Sequence, residues 1–311
     1  MIDIIQYSSD KKEEWNAFIK NSKNGIFMFD RNYMDYHSDR FVDNSLMFYK
    51  DCELISVLPL SKHGKVLKSH GGLTFGGFVS NAKMKQHRMN DCFVELIKYL
   101  KQNDFEKLLY KKIPHIYSEH LSEEDIYSLW LNNAKIMKIE PSTTINLKNQ
   151  IKMPKGRKAQ ISRAKREGVV IEESIDFDNF IDLENKILQE YHGTTAVHTG
   201  AELKLLNSRF PEDIRLYIAV QDGELLAGSL IFVYQNLVHT QYMASSVKGR
   251  EIGALDLLIS SLMDKYKVDK QYFDFGISTE ENGRILNEGL ISQKEGFGGR
   301  TVVYQTWEIN L

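Results

Sequence analysis

The sequence contains only two cysteines, Cys52 and Cys92, among its 311 residues. Two cysteines form neither the repeated ligand spacing of a zinc site nor a disulfide framework, so we expect unpaired thiols in a reducing compartment. No run approaches the roughly 18 apolar residues of a membrane span. The N-terminal stretch MIDIIQYSSDKKEEW lacks the basic start and apolar run of a signal peptide. These absences predict a cytoplasmic protein with no membrane span and no metal site.

A large excess of charge of either sign is also missing. The formal net charge is −2, whereas proteins that coat nucleic acid usually carry a basic excess, so we expect no nucleic-acid partner. Apolar residues make up 42% of the chain and charged residues 26%. This composition provides enough apolar side chains for one large domain or two of ordinary size.

The same order of elements occurs twice in the chain. The stretch IRLYIAVQDGELLAGSLIFVYQNLVHTQYMA predicts a meander of three strands, because Asp-Gly between apolar runs is a strong hairpin signal. A helix over 253–267 and a strand over 272–276 follow it. The first half has two apolar runs, a helix over 90–102 and the strand FEKLLYKKIP. Matching elements are about 165–170 residues apart, well beyond the period of a short repeat.

This repetition is either a chance match between common arrangements or an internal duplication. Duplication predicts a mixed α/β (α+β) protein with two tandem domains, 1–150 and 151–311. Each domain would be a mixed, twisted sheet flanked by helices. Ligands favour the clefts between such domains, so the active site would lie there.

Two segments stand between the repeated parts. PKGRKAQISRAKREG predicts either a solvated helix face or a surface that meets phosphates; its basic residues are Lys155, Arg157, Lys158, Arg163, Lys165 and Arg166. In VHTGAELKLLNSRFP, Thr199 and Glu202 have the spacing of a capping box, which predicts a helix from about Gly200 to before Pro211. His198 would then lie on the loop before that helix.

The strand YFDFG places a charge, Asp274, among apolar residues. Alternation puts Tyr272 and Asp274 on the face opposite Phe273 and Phe275. A charge in so apolar a strand needs a partner or a functional reason, so both an ion pair with Arg or Lys and a catalytic role are open. A lone histidine within a strand, such as His239, is more typical of a structural residue.

Two glycine-bearing loops could bring the backbone close to a ligand. SSVKGREIGALDLL opens a helix, whose free N–H groups and dipole suit a phosphate. It has neither a P-loop nor a G-x-G-x-x-G pattern, and many helices begin after a glycine with nothing bound. HGGLTFGGF is typical either of tight turns or of close backbone approach to a ligand.

Taken together, the meander, the loop-to-helix start near Gly253, the next strand and the helix after it resemble the fold of the GNAT acyltransferases. The doubled order with a basic segment near its middle resembles the Fem-type aminoacyl transferases and their acyl-CoA-using relatives. Within that group, FDFGISTEENGRILNEGLISQKEGFGG, YMDYHSDRFVDNSL and HGGLTFGGF are similar to the tandem-GNAT N-acyltransferases that modify nucleotide-linked amino sugars for bacterial surface polysaccharides such as O-antigen.

The resemblance implies an acyl-CoA co-substrate, a dTDP-type amino sugar as acceptor and no metal. In GNAT proteins the phosphate loop reads Arg/Gln-x-x-Gly-x-Gly/Ala, whereas here only Arg250 and Gly253 match. Many relatives that act on tRNA carry a long helical arm between their halves. We see no such insertion, which favours a CoA donor over an aminoacyl-tRNA.

The resemblance also implies roles for individual residues in a direct attack of the amine on the thioester, without a covalent intermediate. Backbone N–H groups near 241–244 would bind the oxyanion, Asp274 or His198 would accept the proton, and Lys294 would stabilise charge. Ser246, Lys248, Arg250 and Gly253 would hold the phosphates of the donor. The acceptor side would be lined by Tyr36, Arg40, Asp43, Gly71, Gly72, Tyr242, Ser278, Glu280 and Asn287.

Two other functions stay open at this point. One is a Fem-type transferase that takes its acyl group from aminoacyl-tRNA and acts on a peptidoglycan precursor. The other is a non-catalytic GNAT-like module that binds a ligand or partner, which the incomplete phosphate loop favours.

Overall fold

The computed structural model contains both helices and strands and describes residues 2–311 except for the side chain of His192. The helices are α1 (Lys12–Lys20), α2 (Arg31–Met34), α3 (Gln86–Gln102), α4 (Glu124–Leu131), α5 (Lys155–Arg166), α6 (Phe177–His192), α7 (Gly200–Arg209), α8 (Val247–Ile252), α9 (Ala254–Tyr266) and α10 (Glu288–Glu295). The strands are β1 (Asp3–Gln6), β2 (Val42–Asp43), β3 (Leu46–Lys50), β4 (Glu53–Leu58), β5 (Ser61–His63), β6 (Val66–Lys68), β7 (Val79–Ser80), β8 (Lys107–Lys111), β9 (Lys135–Asn146), β10 (Val170–Ser174), β11 (Ile214–Gln221), β12 (Glu224–Val233), β13 (Leu237–Ser245), β14 (Tyr272–Ile277), β15 (Thr279–Glu280), β16 (Ile285–Leu286) and β17 (Arg300–Asn310). The expected mixed α/β class is confirmed.

The chain divides into two compact units. Unit 1 holds the residues up to Glu140 together with 281–284 and 303–311, and unit 2 holds 141–280 and 285–302. These bounds differ from the sequence-based domains 1–150 and 151–311. The first boundary falls inside β9 and the last inside β17, so neither is marked by a turn or a linker in the sequence.

In unit 2 the strands lie in the order β10-β11-β12-β13-β14-β9. All neighbours are antiparallel except β13 and β14, which are parallel and are joined by a crossover that contains α9. The hairpin predicted at Asp222-Gly223 is confirmed: both residues have positive φ, 50° and 80°, which suits the tight turn between β11 and β12.

The core of unit 2 forms where α9 packs against this sheet. The helical spacing of Leu255, Leu258, Ile259 and Leu262 predicts an apolar face, which is confirmed because all four are buried. They pack with strand residues that include Ile231, Val238 and Phe273.

Unit 1 contains a four-stranded sheet, β1-β3-β4-β7, and a second set of strands in the order β17-β8-β6-β5-β2. As in unit 2, a strand that follows a helix pairs in parallel with an earlier strand: β8 comes after α3 and pairs with β6. Helix α3 begins at Gln86, four residues before the predicted start, and its buried face already includes Met89. No helix among residues 2–311 is long and apolar enough to cross a membrane.

Candidate active site

The parallel strands of unit 2 pair over only part of their length. Residues 237–239 of β13 are in register with 272–274 of β14, and the last pair joins His239 to Asp274. Beyond that pair β13 continues to Ser245 and β14 to Ile277, without further registered pairs in this part of the described chain. Gly276 then has φ +73°, and the ladder from β14 to β9 is irregular between Asp274 and Ile277. The two strands therefore separate beyond His239 and Asp274.

Asp274 is fully buried at this point. Its Oδ1 accepts hydrogen bonds from the hydroxyl groups of Ser142 (2.6 Å) and Thr144 (2.7 Å), and its Oδ2 lies 2.8 Å from Nδ1 of His239. The partner suggested by the sequence, an arginine or lysine, is thus replaced by two hydroxyl groups and an imidazole. This satisfies a buried carboxylate and directs it towards His239.

Lys294 lies in the same part of unit 2, on α10. Its ammonium group is buried and donates hydrogen bonds to the carbonyl oxygens of Gly276 (3.0 Å) and Ile277 (2.7 Å). Burial lowers the pKa of Lys294 to about 8, against the opposing effect of the charge on Asp274. Gly276 also packs under the imidazole, because a Cβ at that position would be 3.1 Å from Cε1 of His239. Asp274, His239 and Lys294 therefore form one connected cluster.

A β-bulge in β13 determines which side chains share a face with this cluster. Leu230 of β12 pairs with Tyr242, and the next residue, Ile231, pairs with Thr240, so Gln241 is the extra residue. One inserted residue reverses the alternation of side chains. His239 and Tyr242 consequently lie on the same face of the sheet.

His198 contacts the cluster face through Tyr242. Nδ1 of His198 is 2.8 Å from the Tyr242 hydroxyl group, and the backbone N–H of His198 donates to the same oxygen at 3.4 Å. The predicted capping box of Thr199 and Glu202 is confirmed and begins α7 at Gly200. This cap fixes the loop that carries His198.

The four residues predicted to hold phosphates lie between the end of β13 and α9. Ser246 caps α8 by accepting the N–H of Gly249, 3.0 Å away. Lys248 is exposed and pairs with Glu224. Arg250 donates to the hydroxyl group of Tyr191 at 3.1 Å. Gly253 ends α8 in the left-handed conformation, φ 80° and ψ 31°, and α9 starts there without a side-chain cap. Lys248 and Arg250 thus place two cations close to the start of α9.

Replacement of Gly253 by alanine is expected to lower the free energy of unfolding by about 2–4 kcal/mol. Its φ is unfavourable for alanine, and the added Cβ would be 2.7 Å from the backbone oxygen of Gln160 in α5. Gly193 is a matched control, since it is also left-handed (φ 62°, ψ 27°), but a Cβ there would meet open space, with no atom of the described residues beyond its chain neighbours within 4 Å. Gly193→Ala is expected to cost only about 1–2 kcal/mol. Equal losses in urea denaturation would contradict the close contact between α5 and this loop.

Ser278, Glu280 and Asn287 support the start of α10. The Oδ1 of Asn287 accepts the N–H of Leu290 as an N-cap, and its Nδ2 donates to Glu280 at 2.7 Å. The carbonyl oxygen of the buried Ser278 accepts the N–H of Asn287. The structure shows them orienting the helix that carries Lys294, and their contact with an acceptor stays a prediction.

All five remaining predicted residues belong to unit 1, and four of them lie around a group of aromatic and imidazole rings. The ring of Tyr36 stacks on that of His37, with centroids 4.4 Å apart. The guanidinium carbon of Arg40 lies 5.5 Å from the centroid of the Tyr36 ring. A Cβ on Gly72 would be 2.6 Å from Nε2 of His37, and one on Gly71 would be 2.8 Å from Nε2 of His63. Both glycines therefore allow close approach to imidazole rings.

Asp43 has a different environment from the other four. It forms an ion pair with the buried Arg31 at 3.2 Å and accepts a hydrogen bond from Ser45. It stabilises the local fold of unit 1, and its predicted role on the acceptor side stays a prediction.

Sequence reasoning missed the partners of these residues. Ser142, Thr144 and His239 are separated from Asp274 along the chain, and only the strand register brings them to it. In unit 1 it missed a group of imidazoles, of which the buried His70 has its pKa lowered to about 3, mainly by burial. Among the described residues, no group of three or more His, Cys, Asp or Glu side chains is arranged to hold a metal ion.

Comparison with known proteins finds an acetyltransferase domain in part of the chain. Residues 155–282 match the family model described as an acetyltransferase (GNAT) domain. No curated protein matches the sequence. The crystal structure of FemX is similar over 99% of this chain and 97% of its own, with 12% identity and a TM-score of 0.70. L-PGS from Bacillus licheniformis is similar over 98% and 92%, with 15% identity and a TM-score of 0.63.

A tandem GNAT protein from the clavulanic acid biosynthesis pathway is similar over 100% of this chain and 98% of its own, with 10% identity and a TM-score of 0.54. At such identities the three structures show a shared fold alone. With the matched domain over residues 155–282, they show that the chain has a GNAT-type acyltransferase fold.

Proposed function

We propose that the protein transfers an acyl group from acyl-CoA to the amine of a nucleotide-linked, dTDP-type amino sugar for surface-polysaccharide biosynthesis. The observation that carries the proposal is the separation of β13 and β14 at His239 and Asp274, directly beside Lys294. An extended thioester could enter between strands that no longer pair. The loop at Ser246–Gly253 lies at the end of the same strand, where the pyrophosphate would bind.

In this reaction the neutral amine attacks the thioester carbon, the new N–C bond forms and an oxyanion develops on the acyl oxygen. Two hydrogens of the Lys294 ammonium group are used by backbone carbonyls, and we propose that the third meets this oxyanion together with backbone N–H groups at the Gln241 bulge. The C–S bond then breaks and the thiolate leaves as a thiol.

The burial of Asp274 refines its proposed part in proton transfer. Both of its oxygens already accept hydrogen bonds, and its side chain has no exposed surface. We therefore propose that Asp274 acts through His239, holding the Nδ1–H tautomer so that Nε2 can accept a proton. His198 is the second proposed acceptor.

Arg250→Glu is expected to raise the Kd for CoA about tenfold, which corresponds to about 1.4 kcal/mol. The exposed guanidinium group lies on the loop proposed to bind the pyrophosphate, and the effect should shrink as salt screens it. Isothermal titration at low and high ionic strength measures both changes. Lys267→Glu, at the other end of α9, is the control and should leave the Kd unchanged. Equal Kd values for Arg250→Glu and the wild type would remove the loop from the donor site.

A thiol-release assay with a panel of acyl-CoAs and nucleotide amino sugars tests the reaction as a whole. Transfer to an amino sugar is the expected result. Absence of transfer from every acyl-CoA, at protein concentrations where CoA binds, would contradict the proposal.

A second candidate is aminoacyl transfer from charged tRNA to a peptidoglycan precursor. The likeness to FemX over nearly the whole chain favours it, as does the basic surface of α5. In that helix Arg157 forms an ion pair with Asp256, whereas the other five basic residues of the segment are exposed. Binding of charged tRNA that weakens steeply as salt rises would support this candidate, and binding of CoA alone would exclude it as the main function.

A further inference from the structure

Helix α6 buries a carboxyl group on its apolar face. Phe177, Phe180, Ile181 and Glu184 have the spacing i, i+3, i+4 and i+7, which places them on one side of the helix. All four are buried, and Glu184 is only 6% exposed. Its Oε2 has no hydrogen-bond partner among the described residues. An unsatisfied buried carboxyl oxygen costs stability, so Glu184 calls for an explanation.

The position of α6 puts this carboxyl group on the face of the sheet that holds the candidate site. A Cβ on Gly228 would be 2.5 Å from the ring of Phe180, so α6 covers the face of β12 to which Gly228 and Leu230 belong. Leu230 pairs with Tyr242, and Glu184 follows Phe180 by one helical turn. Burial raises the pKa of Tyr242 to about 12, and the nearby charge of Glu184 adds to this rise.

Charged groups on the elements that pack against α6 have other partners. In α7, Glu202 belongs to the capping box with Thr199, and Lys204 forms an ion pair with Asp178. Arg250 binds the Tyr191 hydroxyl group of α6, and in β13 the ring of His239 faces Asp274, so each of these cationic or titratable groups is engaged with a group other than Glu184. Burial alone raises the pKa of Glu184 to about 7, so the group changes charge near neutral pH.

We propose that Glu184 is a positioning residue whose carboxylate enables the Tyr242–His198 pair to accept the proton of the acceptor amine. This inference rests on the proposed N-acyl transfer. As the N–C bond forms, the proton of the nitrogen passes to the Tyr242 oxygen, and the hydroxyl proton moves to Nδ1 of His198. The resulting imidazolium ion is balanced by the carboxylate of Glu184. When the C–S bond breaks, this proton is returned to the thiolate.

The test compares Glu184→Gln with Glu190→Gln, an exposed position of the same helix. In the wild type, kcat/KM should fall on the acid side with a midpoint near pH 7. Glu184→Gln is expected to lose that limb and to lower kcat about 10- to 100-fold, with the KM for the thioester little changed. Glu190→Gln should behave as the wild type. A limb that persists unchanged in Glu184→Gln would overturn the proposal.

A second measurement needs no substrate. Because the pKa of Glu184 is raised in the folded protein, its contribution to stability is complete below the unfolded value of about 4.3. That contribution is lost as the pH rises through the folded value, about 7. Glu184→Gln is therefore expected to unfold at a higher temperature than the wild type at about pH 8, and at a similar temperature at about pH 5. Identical shifts at both pH values would show that Glu184 does not titrate in this range and would overturn the proposal.

These two measurements separate the inference from the proposed function. If no acyl-CoA is a substrate but stability depends on pH as expected, only the donor assignment fails, and the pH profile is then measured with the acyl donor that the protein does use. If acyl-CoA is a substrate and Glu184→Gln keeps the acid limb, only the role of Glu184 fails.

Should Glu184→Gln not fold, Glu184→Asp serves as a second variant because it keeps a carboxyl group. It is expected to retain the acid limb of the kcat/KM profile at a shifted midpoint. Loss of that limb in Glu184→Asp would count against the proposal.

Discussion

Lys294→Met is expected to lower kcat/KM by about 10²- to 10³-fold, the range found when one preorganised oxyanion donor is removed. The ammonium group is held by the carbonyls of Gly276 and Ile277, so its third hydrogen points in a fixed direction. Methionine keeps the length of the side chain and removes all three donors. A thiol-release assay at saturating acceptor measures the loss, and it should fall mainly on kcat.

Lys148→Met is the matched control for this substitution. Lys148 also donates to two backbone carbonyls, those of Lys267 (2.7 Å) and Val268 (2.9 Å), but it is exposed to solvent. It should keep wild-type kcat/KM, and both variants should be folded by near-ultraviolet circular dichroism. Wild-type kcat/KM in a folded Lys294→Met protein would remove Lys294 from the reaction.

The depressed pKa of Lys294 adds a pH dependence to this prediction. Lysine is charged below its pKa, which burial lowers to about 8, so the stabilising charge is lost as the pH rises through that value. The wild-type kcat should therefore decline on the alkaline side near pH 8. Lys294→Arg stays charged over this range, and whatever activity it retains should show no such decline.

Local signals in the sequence were sufficient for several elements. The Asp-Gly hairpin, the capping box at Thr199 and the apolar face of α9 depend on residues close together in the chain, and the structure confirms all three. The candidate role of Asp274 came from its charge within an apolar strand together with a resemblance, and that of Lys294 came from the resemblance. The structure brings these two residues into one cluster.

Features that depend on register could not be read from the sequence. Simple alternation along β13 would place His239 on the face opposite Tyr242. The extra residue at Gln241 reverses this, and nothing in HTQYMA marks a bulge. The hydrogen-bond partners Ser142 and Thr144 precede Asp274 in the sequence by 132 and 130 residues. They reach it only because β9 pairs with β14.

Glu184 was missed although the sequence does contain a signal for it. The spacing of Phe177, Phe180 and Ile181 defines the buried stripe of α6, and Glu184 continues that stripe. Most glutamates in helices are solvated, so a charge at a core position stands out only once the stripe is drawn. The same reasoning that finds a core residue can therefore find a candidate functional carboxylate.

Asp274→Ala is expected to lower the free energy of unfolding by about 3–5 kcal/mol, the cost of breaking a buried polar network at one member. The substitution leaves the hydroxyl groups of Ser142 and Thr144 and the Nδ1 of His239 without their shared acceptor. Ser142→Ala removes one hydrogen bond and keeps the carboxylate, so it should cost only about 1 kcal/mol. Urea denaturation of the three proteins measures both differences.

Asp274→Asn separates the structural part of Asp274 from its proposed part in catalysis. The amide has nearly the shape of the carboxylate, and its oxygen can still accept from Ser142 and Thr144. Its NH₂ group would then face Nδ1 of His239, which must give up its proton and act as acceptor. The stability loss should be smaller than for alanine, while the imidazole changes tautomer, which ¹⁵N NMR of His239 detects. If Asp274 acts through His239, kcat falls in Asp274→Asn because Nε2 now carries the proton; a changed tautomer with unchanged kcat would leave His198 as the proton acceptor.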